Sequence, residues 1–227
     1  MKSIVTIIQC RMGSARLPGK ALKLVAQRPI LTLLVERLRR SKRHGQLVLA
    51  TTHLAEDDAI ADFGRNAGIT VIRGSEYNLL ARYKMAMDQY PSDFVVRVTG
   101  DNPFTDPTLM DQMITHIEHN NSDYIYAPDA PVGTGVDVFS RKAMRKMAAK
   151  SLTDYQREHV NADILDNPDD YSIEKFGMDA SVGRPDIRLT VDTEDDLRMA
   201  NIIAARLDNC VTAGIPELLS ACDHSGD

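Results

Sequence analysis

The chain has 227 residues, a net charge of -5 and 43% hydrophobic residues, which is ordinary for a globular protein with one substantial core. Its mild acidity argues against a general nucleic-acid binder, and the lack of a long apolar run argues against a membrane span. Because its 3 cysteines match no metal-binding spacing and its first residues do not resemble a signal peptide, we expect a protein of the reducing cytoplasm.

In the first half of the chain, short apolar segments alternate with helical patterns. The apolar segments are rich in Val, Ile and Tyr, as expected for strands buried on both faces of a parallel sheet. They predict strands over 3–9, 46–51, 69–72, 94–99 and 123–127. The intervening patterns predict helices over 30–42, 56–68, 78–90 and 106–121. This alternation predicts an α/β fold with a Rossmann-like, open, mostly parallel sheet and helices on both faces.

The pattern changes after residue 127. Turn-forming residues followed by alternating apolar ones predict a hairpin or an extended excursion before residue 140. Further along, we expect helices over 140–150, 154–166 and 193–207, and strands over 171–176 and 187–191. Because no linker or repeat interrupts the chain, residues 1–227 are expected to form a single domain, with a small extended insertion over 128–185.

The loop that leaves the first predicted strand gathers positive charge. Arg11, Arg16 and Lys20 stand there among Gly13 and Gly19. Ligands of open α/β sheets bind beyond the carboxyl ends of the strands, and glycines let a phosphate approach the backbone N–H groups. The loop therefore favours polyphosphate binding, although each cation alone could be a solvated surface charge. Its spacing is neither that of a P-loop nor that of G-x-G-x-x-G.

The segment IIQCRMGSARLPGKAL (7–22) resembles the nucleotide-binding loop of the cytidylyltransferases. It is similar to the loop of the CMP-Kdo synthetases and closer still to that of the spore-coat polysaccharide biosynthesis group, with Cys10 where alanine is usual. A thiol is nearly as small as a methyl group, so the loop shape should be kept. The resemblance implies that side chains hold the β- and γ-phosphates of CTP while the main chain reads the cytosine. The side chains are those of Arg11, Ser14, Arg16 and Lys20, and the main-chain contacts are those of Ile8, Gln9 and Cys10.

Two aspartates follow apolar strand patterns far apart in the sequence. Asp101 ends the fourth pattern and Asp192 ends a later one. Thr193 and Asp196 have the spacing of a capping box for the next helix, which leaves Asp192 without a capping role. Asp101 could instead satisfy its own turn. The segments GDNPF and VDTEDD resemble those in which cytidylyltransferases carry two magnesium-binding aspartates, so the resemblance implies that Asp101 and Asp192 hold Mg²⁺ beside the phosphates.

Further segments resemble the base and acceptor regions of the same family. They are RGSEYNLLARY (73–83) near the pyrimidine, GTGVDVFS (133–140) on the acceptor side and QREHV (156–160), a motif of the spore-coat group. The usual acceptor-side form, G-L-D-V-E-V-F, has a further acidic position that this chain has moved or lost. Arg82 could equally be a solvated helix residue, and His159 could be structural. The expected nucleotide or acceptor contacts are Arg73, Arg82, Gly100, Asp137, Arg157, Glu158, His159 and Arg188.

These features predict an enzyme that transfers CMP from CTP to a sugar-like acceptor with Mg²⁺, releasing pyrophosphate, in surface polysaccharide synthesis. The acceptor is either an acidic sugar, giving a CMP-sugar, or a phosphorylated one, giving a CDP-linked product. One alternative is a glycosyltransferase that uses a nucleotide sugar, but a D-x-D metal motif at a strand end is not found. Another is a non-catalytic nucleotide-binding relative, which would lack a metal aspartate or Lys20. The resemblance to Kdo-type enzymes also implies a homodimer contact through the insertion.

Overall fold

A seven-stranded mixed sheet forms the centre of the structure, a computed structural model that describes residues 2–223. The strands are β1 (Ile4–Gln9), β2 (Leu24–Val25), β3 (Arg28–Pro29), β4 (Gln46–Thr52), β5 (Thr70–Gly74), β6 (Phe94–Thr99), β7 (Tyr124–Tyr126), β8 (Asp137–Ser140) and β9 (Ile173–Lys175). Across the large sheet their order is β5-β4-β1-β6-β8-β7-β9, and β2 pairs with β3 separately. The first four of these strands run parallel, whereas β8 is antiparallel to both of its neighbours. The predicted open, mostly parallel sheet is confirmed.

Helices cover both faces of this sheet. They are α1 (Ile30–Leu38), α2 (Asp58–Asn66), α3 (Leu79–Gln89), α4 (Pro107–Asn120), α5 (Arg141–Ala148), α6 (Asp154–Glu158), α7 (Ala162–Asp166), α8 (Glu194–Ala205) and α9 (Ile215–Asp223). Apolar side chains of α1, α2, α4 and α9 pack into one core with Ile4 and Ile8 of β1. Those of α3 and α5 pack into a second core with Val5 and Ile7. Since side chains alternate between the faces of a strand, β1 is buried on both sides, which explains its almost continuous apolar sequence.

None of the helices between Lys2 and Asp223 combines the length and the apolar character that are needed to cross a lipid bilayer.

Two helices begin at the predicted capping residues. The carboxylate of Asp106 caps α4 by accepting the N–H groups of Thr108 and Leu109, each at 2.8 Å. Thr193 and Asp196 form a reciprocal capping box at the start of α8. Such caps satisfy backbone N–H groups that have no partner within the helix. They fix where the chain leaves the edge of the sheet.

The second half of the chain departs from the prediction in two places. The predicted helix over 154–166 is interrupted at His159, which has an extended backbone, so that α6 and α7 are separate short helices. The predicted strand over 187–191 is wrong, because only Arg188 makes a bridge, to Val132. Leu189 and Val191 are buried in a core with α8 rather than in the sheet, which accounts for their apolar pattern. The predicted hairpin before residue 140 is confirmed, since β7 and β8 pair antiparallel.

Two further elements were not predicted. One is α9, and the other is the β2–β3 hairpin, which turns through Ala26 and Gln27 at φ +51° and +61°. These residues are unusual at positive φ, where Gly and Asn are preferred. The side chain of Asn201 in α8 supports the turn by accepting the N–H of Ala26 and donating to the carbonyl of Leu24. A contact this distant in sequence leaves no local signal.

Candidate active site

The carboxyl ends of β1 and β6 approach each other closely at one edge of the sheet. Gly100, directly after β6, donates its N–H to the carbonyl oxygen of Gln9 at 2.9 Å. A Cβ atom at Gly100 would lie 2.8 Å from Sγ of Cys10 and 2.9 Å from its Cβ, so only glycine fits. Burial, with the nearby charge of Asp101, raises the pKa of the Cys10 thiol, which therefore stays protonated and packs as a small apolar group. This approach holds Asp101 beside the loop that follows β1.

That loop, residues 10–20, is called the basic loop below. The carboxylate of buried Asp57 accepts the backbone N–H of Met12 at 2.6 Å. The carbonyl of Met12 in turn accepts the N–H groups of Ser14 and Gly19, at 2.9 and 3.1 Å. Gly19 has a φ of +67°, a left-handed conformation that glycine adopts without strain. The basic loop is thus anchored to Asp57, shortly after β4, and closed by its own hydrogen bonds. These bonds fix the backbone from which its cationic side chains extend.

Lys20 lies between the two predicted metal ligands. Its Nζ atom is 2.5 Å from Oδ2 of Asp101 and 2.6 Å from Oδ1 of Asp192. The other carboxylate oxygen of Asp192 binds the guanidinium of Arg16 at 3.1 Å and that of Arg188. Residues predicted separately from opposite ends of the chain are therefore brought into direct contact.

The opposite charges of Lys20 and Asp192 each favour the ionised form of the other. Burial disfavours the charge on Asp192, but the hydrogen bond and charge of Lys20, with Arg16 and Arg188, hold the pKa of this carboxyl below its ordinary value. Burial likewise disfavours the charge on Lys20, but the two aspartates raise the pKa of its ammonium above its ordinary value. Lys20, Asp101 and Asp192 thus form a compact, partly buried charge cluster.

A backbone hydrogen bond brings the second aspartate to this place. The N–H of Val191 donates to the carbonyl oxygen of Asp101 at 2.9 Å. Asp192 follows at once, and its own N–H donates to the carboxylate of Asp196 inside the α8 cap. The segment predicted as a strand therefore still delivers Asp192 to the end of β6, without forming a strand.

The free oxygens of this cluster fit a divalent cation. Oδ1 of Asp101 and Oδ1 of Asn102 are buried and have no hydrogen-bond partner within residues 2–223. A buried oxygen without a donor is costly unless a ligand completes it. Over the same residues, no group of three or more His, Cys, Asp and Glu side chains could hold a metal by itself. Mg²⁺ commonly takes one or two carboxylates and completes its shell with phosphate oxygens and water. The carboxylates of Asp101 and Asp192 suit this preference.

A cleft of 570 Å³ opens over the charge cluster, a size typical of small-molecule sites. Most of the predicted site residues line it. They are Gln9, Cys10, Arg11, Gly13, Ser14, Arg16, Lys20, Arg82, Gly100, Asp101, Glu158, His159 and Asp192. The cations of the basic loop and the aspartate pair therefore line the same cleft.

Other predicted residues lie elsewhere. Ile8 is fully buried in β1 between β4 and β6 and does not line the cleft. The guanidinium of Arg73 binds Asp58 at 2.6 Å and the carbonyls of Thr52 and Leu54, and so holds the connection between β4 and α2 rather than lining the cleft. Arg157 forms an exposed pair with the neighbouring Asp154 at 2.8 Å. Arg188 reaches the site through Asp192, and Asp137 lines a neighbouring cavity.

Arg82 is a buried cation on the wall of the cleft. It is only 4% exposed, and its Nε has no hydrogen-bond partner among the described residues. Burial lowers the pKa of its guanidinium. Its stem passes Gly74, where a Cβ would lie 2.7 Å from Cγ of Arg82. The solvated alternative for Arg82 is therefore wrong, and a donor group is available inside the cleft.

Sequence reasoning missed a polar network beneath the cleft. Oε1 of Gln9 accepts hydrogen bonds from the Tyr83 hydroxyl at 2.9 Å and from Nε of Arg97 at 3.0 Å. Arg97 then binds Asp137 at 2.5 Å, and Asp137 also accepts the Tyr124 hydroxyl at 2.6 Å. The available signal was an arginine inside the otherwise apolar strand FVVRVT. Through this network the base of the cleft is joined to a second cavity of 250 Å³, whose wall includes Arg97 and Asp137.

Arg11 makes a second link across the mouth of the cleft. One of its guanidinium nitrogens is 3.1 Å from Oε1 of Glu158 in α6, and the other is 3.9 Å from Oε1 of Glu76. Each of these side chains is at least 30% exposed, so the pairs are held weakly and can exchange partners. Glu76 was not predicted, although it lies within the segment RGSEYNLLARY (73–83).

Fold and site together define a class of protein. A basic loop after the first strand, in contact with one aspartate that follows β6 and another that precedes α8, is suited to a metal-bound nucleotide. Residues 5–212 match the family model described as Cytidylyltransferase. The chain belongs to the cytidylyltransferase family and is an enzyme of the nucleotidyltransferase class.

The similarity extends along almost the whole chain. The spore coat polysaccharide biosynthesis protein SpsF of Bacillus subtilis is 32% identical, over 100% of this chain and 97% of that protein. A 3-deoxy-manno-octulosonate cytidylyltransferase of Idiomarina loihiensis is 25% identical, over 73% of this chain and 69% of that protein. The solved structure of a cytidylyltransferase from Leptospira borgpetersenii matches with a TM-score of 0.93 and 26% identity, covering 99% of this chain and 95% of that one. The resemblances to the spore-coat polysaccharide group and to the CMP-Kdo synthetases are both confirmed.

Proposed function

We propose that this cytidylyltransferase transfers CMP from CTP to a hydroxyl or acidic oxygen of a sugar-like acceptor and releases pyrophosphate. The observation that carries this proposal is the contact of Lys20, the last residue of the basic loop, with both Asp101 and Asp192. A single set of charges there can bind a triphosphate on one side and a divalent cation on the other. The two needs of nucleotidyl transfer, cation and phosphate binding, are met within one cleft.

The basic loop binds the triphosphate. Arg11, Arg16 and Lys20 hold the β- and γ-phosphates, with backbone N–H groups near Gly13 and the hydroxyl of Ser14 as further donors. These cations stabilise the negative charge that develops on the leaving pyrophosphate, and each well-placed donor contributes roughly 3 kcal/mol to the transition state. Arg11 and Lys20 are therefore catalytic residues in this proposal.

Asp101 and Asp192 hold the divalent cation, which we take to be Mg²⁺. When bound, the cation offsets charge on the α-phosphoryl oxygens and orients them for in-line attack. The acceptor oxygen would form the new bond to the α-phosphorus while the bond from the α-phosphorus to the α,β-bridging oxygen breaks, so that this oxygen leaves with pyrophosphate. A hydroxyl acceptor would release its proton to solvent, whereas a phosphate acceptor would react as the anion. No protein nucleophile takes part. The main chain of Gln9 and Cys10 and the guanidinium of Arg82, which line the cleft, are proposed to read the cytosine base.

The acceptor is proposed to bind toward the second cavity, next to Asp137, with Glu158 and His159 of the cleft wall as further contacts. Its chemical class follows from relatives: one is named for spore coat polysaccharide synthesis, and another acts on an acidic octulosonate. An acidic sugar would give a CMP-sugar, and a phosphorylated one a CDP-linked product. In either case the product is an activated precursor for surface polysaccharide. We further propose a cytoplasmic enzyme of one domain, which forms a homodimer through the insertion over 128–185.

The experiment is a substrate panel. The protein is incubated with each of the four ribonucleoside triphosphates, Mg²⁺, and a set of acidic and phosphorylated sugars, and pyrophosphate is measured. We expect pyrophosphate release with CTP and a subset of the acceptors, and none in EDTA. Release of a nucleoside diphosphate from a nucleotide sugar would point instead to a glycosyltransferase, and CTP binding with no turnover across the panel would point to a non-catalytic relative.

A further inference from the structure

Cationic side chains surround the aspartate pair of the proposed metal site. Asp101 and Asp192 together contact three cationic side chains, namely Lys20, Arg16 and Arg188. Lys20 bridges the two carboxylates, each at a distance of full ionic hydrogen bonding. One oxygen of each carboxylate, Oδ2 of Asp101 and Oδ1 of Asp192, is therefore already bound to the ammonium.

We infer that the ammonium of Lys20 occupies the place of the divalent cation between Asp101 and Asp192. It leaves this place only when the triphosphate binds, so that metal and nucleotide bind together. This inference rests on the proposed function, because it assumes that Asp101 and Asp192 are the metal ligands. It adds that the ammonium of Lys20 excludes free metal from the aspartate pair.

Electrostatics supplies the reason. A free dication must displace the Lys20 ammonium, whose anionic partners among residues 2–223 are Asp101 and Asp192, and it is repelled by Arg16 and Arg188 beside Asp192. A triphosphate gives Lys20, Arg16 and Arg11 new anionic partners on the other side of the cleft. A lysine ammonium on its flexible four-carbon stem can make this exchange without moving its backbone. The buried, unpartnered Oδ1 of Asp101 is then available to the incoming cation.

The consequence is coupling between the two ligands. If nucleotide raises the affinity for metal, then metal raises the affinity for nucleotide by the same factor. Removing the ammonium of Lys20 should therefore open the aspartate pair to free metal. Lys23 offers a matched control, since it lies three positions further on, carries the same charge, and pairs with Glu194 at 3.0 Å instead of with the aspartates.

The test is Mn²⁺ binding, measured by the electron paramagnetic resonance signal of the free ion, with and without α,β-methylene-CTP. We expect the wild-type protein to bind Mn²⁺ weakly alone and about tenfold or more tightly with the analogue, within the ordinary range of coupling between two ligands. Lys20→Met should raise the affinity for Mn²⁺ without nucleotide by about tenfold, whereas Lys23→Met should change it less than about twofold. Adding Asp101→Asn to Lys20→Met should remove the gain, and circular dichroism checks that each variant is folded.

The outcomes separate this inference from the function on which it rests. If the wild-type protein binds no Mn²⁺ even with the nucleotide analogue, the aspartate pair is not the metal site and the proposed function loses its basis. If nucleotide raises Mn²⁺ affinity but Lys20→Met leaves nucleotide-free affinity unchanged or lower, the metal site stands and the role of Lys20 is wrong. A gain that survives Asp101→Asn also overturns it, because the ion then binds elsewhere.

Discussion

The backbone N–H of Val191 donates to the carbonyl oxygen of Asp101 at 2.9 Å, and this bond joins two segments that are distant in the sequence. It places Asp192 next to the end of β6, where Lys20 from the basic loop reaches both aspartates. Together with the bond from the N–H of Gly100 to the carbonyl oxygen of Gln9, it assembles the charge cluster from three parts of the chain. The predictions below follow from this arrangement.

Asp101→Asn and Asp192→Asn should each lower the rate of pyrophosphate release by at least about 100-fold, because each removes a charge that the transition state needs. The amide keeps the size of the side chain, so the fold should persist. Glu194→Gln is the control. Glu194 lies two positions after Asp192, in the first turn of α8, but its side chain is 70% exposed and pairs with Lys23. A rate near that of the wild-type protein in either aspartate variant would remove the metal-pair hypothesis.

Lys20→Ala should weaken the binding of α,β-methylene-CTP by about tenfold or more, as expected for loss of a charge-assisted hydrogen bond. Calorimetry in EDTA isolates the contact with the phosphates, because no metal can then compete for the aspartates. Lys23→Ala serves as the comparison. Equal affinity of the Lys20 variant and the wild-type protein would show that the basic loop does not bind the triphosphate through this residue.

Gly100→Ala should destabilise the fold by about 1–3 kcal/mol, because the added Cβ enters the contact with Cys10 and the structure must shift to admit it. Gly177→Ala is the matched control, since a Cβ there meets nothing within 4 Å. Urea unfolding measures both. The first variant should also lose activity, as the shift moves Asp101; a Gly100 variant as stable and active as the control would contradict the close approach of β1 and β6.

Stability at low pH should depend on Asp192. Because the pKa of this carboxyl in the folded state lies below its ordinary value of 3.8, the unfolded state takes up a proton more readily. Its contribution is therefore present above pH 3.8 and is lost as the pH falls through the lower, folded-state pKa. The free energy of unfolding of the wild-type protein should fall more steeply below about pH 4 than that of Asp192→Asn. Parallel pH profiles for the two proteins would contradict the charge cluster.

The sequence was sufficient for the parallel half of the sheet and for the convergence of Lys20 with the two aspartates. The sheet followed from continuous apolar runs, which are local signals, whereas the convergence followed from the resemblance of three segments to those of the cytidylyltransferases. The strand predicted over 187–191 was wrong because Leu189 and Val191 have an apolar pattern for a different reason, burial against α8. A pattern shows that side chains are buried, but not which element buries them.

The remaining site residues show the same limit. Arg73 and Arg82 come from one segment that resembles the pyrimidine region, yet Arg73 binds Asp58 and two carbonyls while Arg82 enters the wall of the cleft. Which way each side chain points is decided by partners on other elements. Arg97 escaped notice because its role depends on Gln9 and Asp137, whose positions follow from strand order rather than from any local motif.

Metal dependence of nucleotide affinity tests the central claim most directly. Calorimetry would measure the dissociation constant of α,β-methylene-CTP with Mg²⁺ and with EDTA, for the wild-type protein and for Asp192→Asn. If the basic loop and the aspartate pair bind one metal–triphosphate, Mg²⁺ strengthens binding to the wild-type protein by about tenfold or more and has little effect on the variant. An equal benefit from Mg²⁺ in both proteins would contradict it.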